Sequence, residues 1–290
     1  MKYGLNNSSL ATLYLIILII AYTFFFLMIQ TNTIDLIIKE NFNFNKIILF
    51  IFILAILSLI TFSTPKEIIK YINKVVPIMC VILILISLIV IIKNINIIDK
   101  VFYLIISDAF NFKSVFGGLI PTLLISIRRN IFQNELLIGP ASIASAVKKG
   151  NSHLVASTAV MANLFITFVI CTLIAFLIII FKMQNEVTTT NYINLISQVF
   201  TYHFPNIGSL LLTILLSLFA FTTIVSGFYF GLTNLMYLTK NTLIILIFRI
   251  NVLLFTLSGV ILKPTIIWYL IDTMMLILII LNVISVTRLR

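Results

Sequence analysis

Charge is what this sequence has least of. Only 9% of its 290 residues are Asp, Glu, Lys or Arg, against about a quarter in a soluble domain. That scarcity excludes a water-soluble monomer. Acids are scarcer than bases, 8 against 19 Lys and Arg, for a formal net charge of +11. The cations are scattered at the ends of apolar runs rather than gathered on one face, which excludes nucleic acid as a partner. There are 2 cysteines. Cys80 and Cys171 each lie within an apolar run, so they read as buried inert thiols rather than a disulfide. The 2 histidines, His153 and His203, stand in polar connections. Neither has a carboxylate or a second His at metal-ligand spacing. No nucleophile–base arrangement, Gly-rich phosphate loop or CxxC is present, so there is no enzyme signature and no cofactor is implied. Met1-Lys-Tyr-Gly-Leu lacks a small-residue cleavage site and leads into a long apolar run, which reads as a membrane anchor rather than a signal peptide.

What is there is apolar. Hydrophobic residues make up 61% of the chain and the mean hydropathy is +1.22. Roughly eight runs approach the ~20 residues needed to cross a bilayer. They fall near 9–29, 47–63, 74–93, 114–138, 154–181, 207–237, 242–262 and 265–287. Such runs are too long for barrel strands, so helices must satisfy the backbone. The expected fold class is an all-α polytopic membrane protein of about eight transmembrane helices, a single membrane domain over 1–290 with the lipid bilayer as its partner. With the N-terminus inside, the cytoplasmic side receives Lys2, Lys66, Lys70, Lys74, Lys148, Lys149, Lys240, Arg249, Arg288 and Arg290 against Glu67 alone. The outer cations lie beside Asp35, Glu40, Asp99, Asp108 and Glu186. This bias places both termini in the cytoplasm. Segments 94–113 and 182–206 mix polar and apolar residues, as short interfacial helices do. Ser63-Thr64-Pro65-Lys66-Glu67 reads as a helix start.

The apolar pattern is interrupted at Arg128-Arg129-Asn130-Ile131-Phe132-Gln133-Asn134-Glu135-Leu136-Leu137-Ile138-Gly139-Pro140-Ala141-Ser142. Charges and amides inside a membrane are costly unless they face protein or a water-filled cavity. An interruption of this kind points to a transporter binding site. Glu135 is expected to pair with Arg128 or Arg129 and hold a break in shape. The alternative is a plain cytoplasmic helix end, with Lys148 and Lys149 just beyond. Asp272, an intramembrane acid, is a functional candidate; it otherwise pairs with Lys263 or sits at the outer interface. Asn282 is expected to bond across helices.

Several segments resemble one family. Arg129-Asn-Ile-Phe-Gln-Asn134-Glu135-Leu-Leu-Ile-Gly139-Pro-Ala141 resembles the "RGxFSNEAGxGSAP" signature of the alanine/glycine:cation symporters. Ala220-Phe-Thr222-Thr223-Ile224, followed by Phe228-Tyr-Phe-Gly231, resembles "AFSTILGWxYYGE". Trp268-Tyr-Leu-Ile-Asp272 with Asn282 resembles "WxLADxxNGLMxxPN". Met28-Ile-Gln30-Thr-Asn32-Thr33 resembles "NMVQANS", and Lys66-Glu67-Ile-Ile-Lys70 through Pro77 resembles "KRIAxVxExLVP". The matches keep the family's order and nearly its spacing over almost the whole chain.

The resemblance implies a LeuT-type fold of two inverted five-helix repeats and sodium-coupled symport of a small neutral amino acid, alanine or glycine, across the cell membrane. It implies that 1–290 corresponds to core helices three to ten, with the extra N-terminal helix and core helices one and two absent. Gln30, Asn134, Glu135 and Gly139 then contact substrate, with Asn134 and Glu135 at the unwound middle of core helix six. Thr222 and Thr223 face sodium, the coupling ion, or else bond within their own helix. Asn32, Arg129, Asp272 and Asn282 are structural polar residues. Some positions depart from the family pattern. Leu137 and Gly227 replace a Gly and a Trp, Pro140 a Ser, Leu232 a Glu and Leu281 a Pro. Thr23-Phe-Phe-Phe-Leu27 fills a stretch of small residues. Two other readings follow from these departures and from the late start. In one, the chain is a remnant or a scaffold that transports nothing. In the other, it is the C-terminal part of a split transporter, completed by a separately encoded N-terminal piece.

Overall fold

The computed structural model describes residues 5–42, 46–133, 135–140, 152–186 and 191–288. Among them, regular structure is helical throughout. In chain order the helices are α1 (Ser8–Asn41), α2 (Lys46–Thr61), α3 (Pro65–Lys93), α4 (Ile95–Phe110), α5 (Phe112–Gln133) and α6 (Glu135–Ile138). Then follow α7 (152–184), α8 (Tyr192–His203), α9 (Gly208–Leu238), α10 (Thr242–Ser258) and α11 (Pro264–Thr287). Five of them, α1, α3, α7, α9 and α11, contain stretches long and apolar enough to cross a membrane. The pair α4 and α5, bent by 92°, makes a sixth if it is one span. Helices α2 and α10 have 16 and 17 residues, short of the ~20 that span a bilayer. Helices α4 and α8 occupy the two segments expected to hold short interfacial helices.

The first run was expected to end near residue 29, but α1 continues to Asn41. No Gly or Pro interrupts residues 8–41, and several polar residues beyond 29 find partners on other helices. Thr31 Oγ1 donates to Thr256 O at 2.6 Å, and Asn32 Nδ2 to Gly259 O at 2.9 Å. Those carbonyls belong to the C-terminal end of α10, where the helix cannot satisfy its own acceptors. Further along, Asn41 Nδ2 donates to Thr213 Oγ1 of α9 at 2.9 Å and accepts from Ser197 of α8. One turn of α1, Ala21–Phe25, is a π-helix, as is Ile166–Cys171 in α7.

The core lies along the seam between α1 and α9. Tyr22, Leu27, Ile224, Val225, Phe228 and Leu232 are buried there. Gly227 and Gly231 form a small-xxx-small pair that lets the two backbones approach. A Cβ on Gly227 would lie 2.8 Å from Leu27 Cδ2, and one on Gly231 would run into Thr23 Oγ1. A second apolar cluster, including Ile37, Val90, Leu177, Phe200 and Leu212, joins α1, α3, α7, α8 and α9. Residues on α5 from 119 to 130 are exposed to whatever surrounds the protein.

The start of α3 follows the capping logic of its sequence, with Pro at the first turn. The Glu67 carboxylate accepts from the Thr64 N–H at 2.9 Å and from the Thr64 hydroxyl at 2.8 Å. These bonds, the backbone one first, hold the Glu67 carboxyl below its ordinary range. The cap therefore contributes above the usual Glu pKa and is lost as pH falls through the lowered value. Carbon-detected NMR titration in micelles should give Glu67 a midpoint below that of an unstructured Glu peptide. Thr64→Val should move the midpoint only part of the way back, because the backbone donor remains. At the seam, Gly231→Ala should destabilise the protein by about 1–3 kcal/mol through overpacking. Adding Thr23→Ala should recover part of that loss in thermal unfolding in detergent.

Candidate functional site

The polar interruption becomes a helix end with a defined stop. Helix α5 runs to Gln133, and Glu135–Ile138 is again helical. The chain then turns at Gly139, whose φ is +116°. That backbone region is open to glycine and strained for other residues. The described helix therefore stops at Gly139; the sequence suggested an unwound segment at Asn134–Glu135. Asn134 and the Glu135 side chain lie outside the described residues. Leu137, at a motif position that is Gly in the family, sits in ordinary helical conformation, because the positive φ is taken up two residues later.

A helix that ends inside the protein leaves its last carbonyls without intrahelical donors. Here two other helices supply them. Tyr14 Oη of α1 donates to Ile138 O at 2.7 Å, and Asn282 Nδ2 of α11 donates to Leu137 O at 2.9 Å. Ile138 is fully buried. A Cβ on Gly139 would collide with Tyr14 Oη and lie 3.6 Å from Asn282 Oδ1. Glycine is thus required here by space as well as by φ. Asn282 bonds across helices, as the sequence suggested. Tyr14 carried no signal in the sequence, because it stands in an apolar run 124 residues from its partner.

The arginines before this stop also face α11. Arg128 pairs with Asp272 and lies over the Tyr269 ring at 5.8 Å. Arg129 lies over the Trp268 ring at 4.5 Å. The partner of Asp272 is therefore Arg128 and not Lys263. The ion pair described for Arg128 runs to α11, and the expected pair with Glu135 falls on a side chain outside the described residues. An acid and two aromatic faces compensate two cations that would be costly in lipid if left alone.

The remaining candidates sit on α1 and α9. Gln30 is half-buried on α1, and Asn32 is committed to the end of α10. Thr222 and Thr223 donate back to Phe219 O at 3.0 and 2.8 Å, so each hydroxyl proton is used within α9. Their oxygens keep acceptor capacity. Together with Ser226 they line a groove of about 550 Å³ whose other walls are α3, through Val76 and Cys80, α7, through Ile170, and α8, through Ile196 and Phe200. This groove does not include the helix end at Gly139. A separate apolar cavity of about 420 Å³ lies between α1, α2, α3 and α9, among Ile34, Leu57, Tyr71 and Phe221, and holds none of the candidate residues.

Comparison with known proteins adds the following. The family model described as the sodium:alanine symporter family matches residues 1–290. The chain is 31% identical to the "Probable sodium/glutamine symporter GlnT" of Bacillus subtilis strain 168, over 99% of its own length and 60% of that protein. It is 32% identical to the "Sodium/alanine symporter AgcS" of Methanococcus maripaludis, over 85% of its length and 55% of that protein. It is 28% identical to the "Sodium/proton-dependent alanine carrier protein" of Bacillus sp. strain PS3, over 73% of its length and 51% of that protein. The chain thus spans between half and two thirds of the length of these relatives.

Tyr14→Phe should cost about 1–3 kcal/mol by leaving a buried carbonyl without its donor. Gly139→Ala should cost more, because it adds backbone strain to the steric clash. Combining the two should relieve the clash but not the strain. Thermal unfolding of the three variants in detergent should therefore rank the double variant above Gly139→Ala and below Tyr14→Phe.

Proposed function

This chain belongs to the sodium:alanine symporter family, and from that premise we propose that it is a carrier for sodium-coupled uptake of a small neutral amino acid. It is a multi-pass protein of the cell membrane in this reading, with both termini in the cytoplasm. Its helices are core helices three to ten of a LeuT-type fold, with α2 and α10 counted among the spans. The observation that carries the proposal is the helix stop at Gly139, whose last carbonyls are held by Tyr14 and Asn282. Interrupted helices of this kind place backbone groups at a substrate site near the bilayer midplane. Gln30, Asn134, Glu135 and Gly139 would contact the amino acid. Thr222 and Thr223 would offer hydroxyl oxygens, hard ligands that suit sodium, to the groove beside α3 and α7. The ion gradient would drive uptake through different affinities of two conformations for sodium and substrate.

A second reading is supported by the open groove at Thr222, Thr223 and Ser226. In the symporter plan core helix one packs there and completes the ion site. The chain would then work only together with the part of the symporter that its relatives contain and residues 1–290 do not match, supplied as a separate piece.

Liposomes with an imposed inward sodium gradient separate the readings. Uptake of radiolabelled alanine by the chain alone, abolished when sodium is replaced by choline, supports the first. Uptake only after co-reconstitution with the unmatched segment of a relative supports the second. No sodium-dependent uptake in either case contradicts the transport proposal and leaves the remnant or scaffold. In whichever preparation is active, Thr222→Val with Thr223→Val should raise the half-saturating sodium concentration at least tenfold. An unchanged sodium dependence would remove these two residues from the ion site.

A further inference from the structure

Helix α5 is held in an unusual way. Its apolar side chains from Leu119 to Ile127 are exposed, so it has little packed interface there. It is attached to the rest of the protein through α4, which precedes it in the chain, and through α11, and α6 packs mainly on α11. The attachment to α11 has two points. At one, Arg128 and Arg129 meet Trp268, Tyr269 and Asp272. At the other, Asn282 donates to Leu137 O.

The two points share a register. From Arg128 to Leu137 is nine residues, and from Asp272 to Asn282 is ten, read from the numbering. At 1.5 Å per residue the interval on α11 is a rise of about 15 Å. Both intervals run in the same chain direction, so α11 lies parallel to the segment it holds. Trp268, Asp272, Ile279 and Asn282 recur at helical spacing and form one stripe of α11. Without water to compete and without a hydrophobic force between helices in lipid, such polar and cation–π contacts fix helix position.

We propose that α11 is a splint for the helix that stops at Gly139, and that Asp272 and Asn282 are positioning residues. Together they set where the carbonyls of Leu137 and Ile138 and the backbone of Gly139 lie. Neither touches the amino acid. They act through the helix end that does. Asp272 fixes the axial position of the segment through Arg128, and Asn282 fixes the rotation of its last turn. The functional part of this inference rests on the reading of the Gly139 stop as the substrate site; the mechanical part does not.

The test has two arms. Spin labels at the exposed positions Leu124 and Leu276 report the separation of α5 from α11 in liposomes. The background protein should give a narrow distance distribution. Asp272→Asn with Asn282→Leu should broaden or shift it, and the reversed pair Arg128→Asp with Asp272→Arg should restore it. An unchanged distribution in the double variant would overturn the splint, whether or not the protein transports. In a preparation active for sodium-dependent alanine uptake, Asn282→Leu should raise the alanine KM at least fivefold at equal membrane insertion and leave the sodium half-saturation within twofold. An equal fall in maximal rate with KM unchanged would show a structural role only and overturn the positioning assignment. Loss of uptake in the unsubstituted protein would count against the transport proposal, while the distance arm would still decide the splint.

Discussion

A helix that stops inside an apolar protein must have its last carbonyls satisfied by something other than itself, and that constraint organises this molecule. In hydrocarbon there is no water to take the place of a missing donor. Helix α1 answers it twice. Tyr14 reaches the end of α6, and Thr31 with Asn32 reaches the end of α10. Helix α11 supplies the other donor at α6 through Asn282. Two helix ends far apart in sequence are thus tied to one central helix. The polar residues of α1 that would shorten a simple transmembrane helix are what make it the hub.

The seam between α1 and α9 shows the same economy of space. Bulky Phe26 and Leu27 stand where the family pattern has small residues, and Gly227 stands where it has Trp. The structure sets these departures against each other. Gly227 packs on Leu27 and Phe26, and a Cβ there would lie 2.8 Å from Leu27 Cδ2. Close packing across the seam is kept. At Leu137 and Gly139 the positive φ falls on the glycine that the chain keeps.

Much of the fold was legible because membrane helices announce themselves by length and apolarity. The runs beginning at residues 9, 74, 154, 207 and 265 correspond to long apolar helices, and segments 94–113 and 182–206 contain the shorter helices α4 and α8. The capping of α3 was legible because Thr64 and Glu67 are three residues apart and act locally. The extension of α1 to Asn41 was not, since Thr31, Asn32 and Asn41 are acceptable in a helix only through partners on α8, α9 and α10. At the candidate site, sequence singled out Gly139, Arg129, Asp272 and Asn282 by their type in an apolar setting. It could not pair them. The choice of Arg128 for Asp272, and of Tyr14 for the Ile138 carbonyl, depends on contacts across more than a hundred residues.

The central claim is that side-chain donors from neighbouring helices hold the carbonyls of the helix that stops at Gly139. Isotope-edited infrared spectroscopy with a 13C=18O label at Ile138 reads that bond directly. The labelled carbonyl should absorb at a lowered amide I frequency in the unsubstituted protein and shift upward in Tyr14→Phe, with the rest of the amide I band unchanged. A labelled band at the same frequency in both proteins would contradict it.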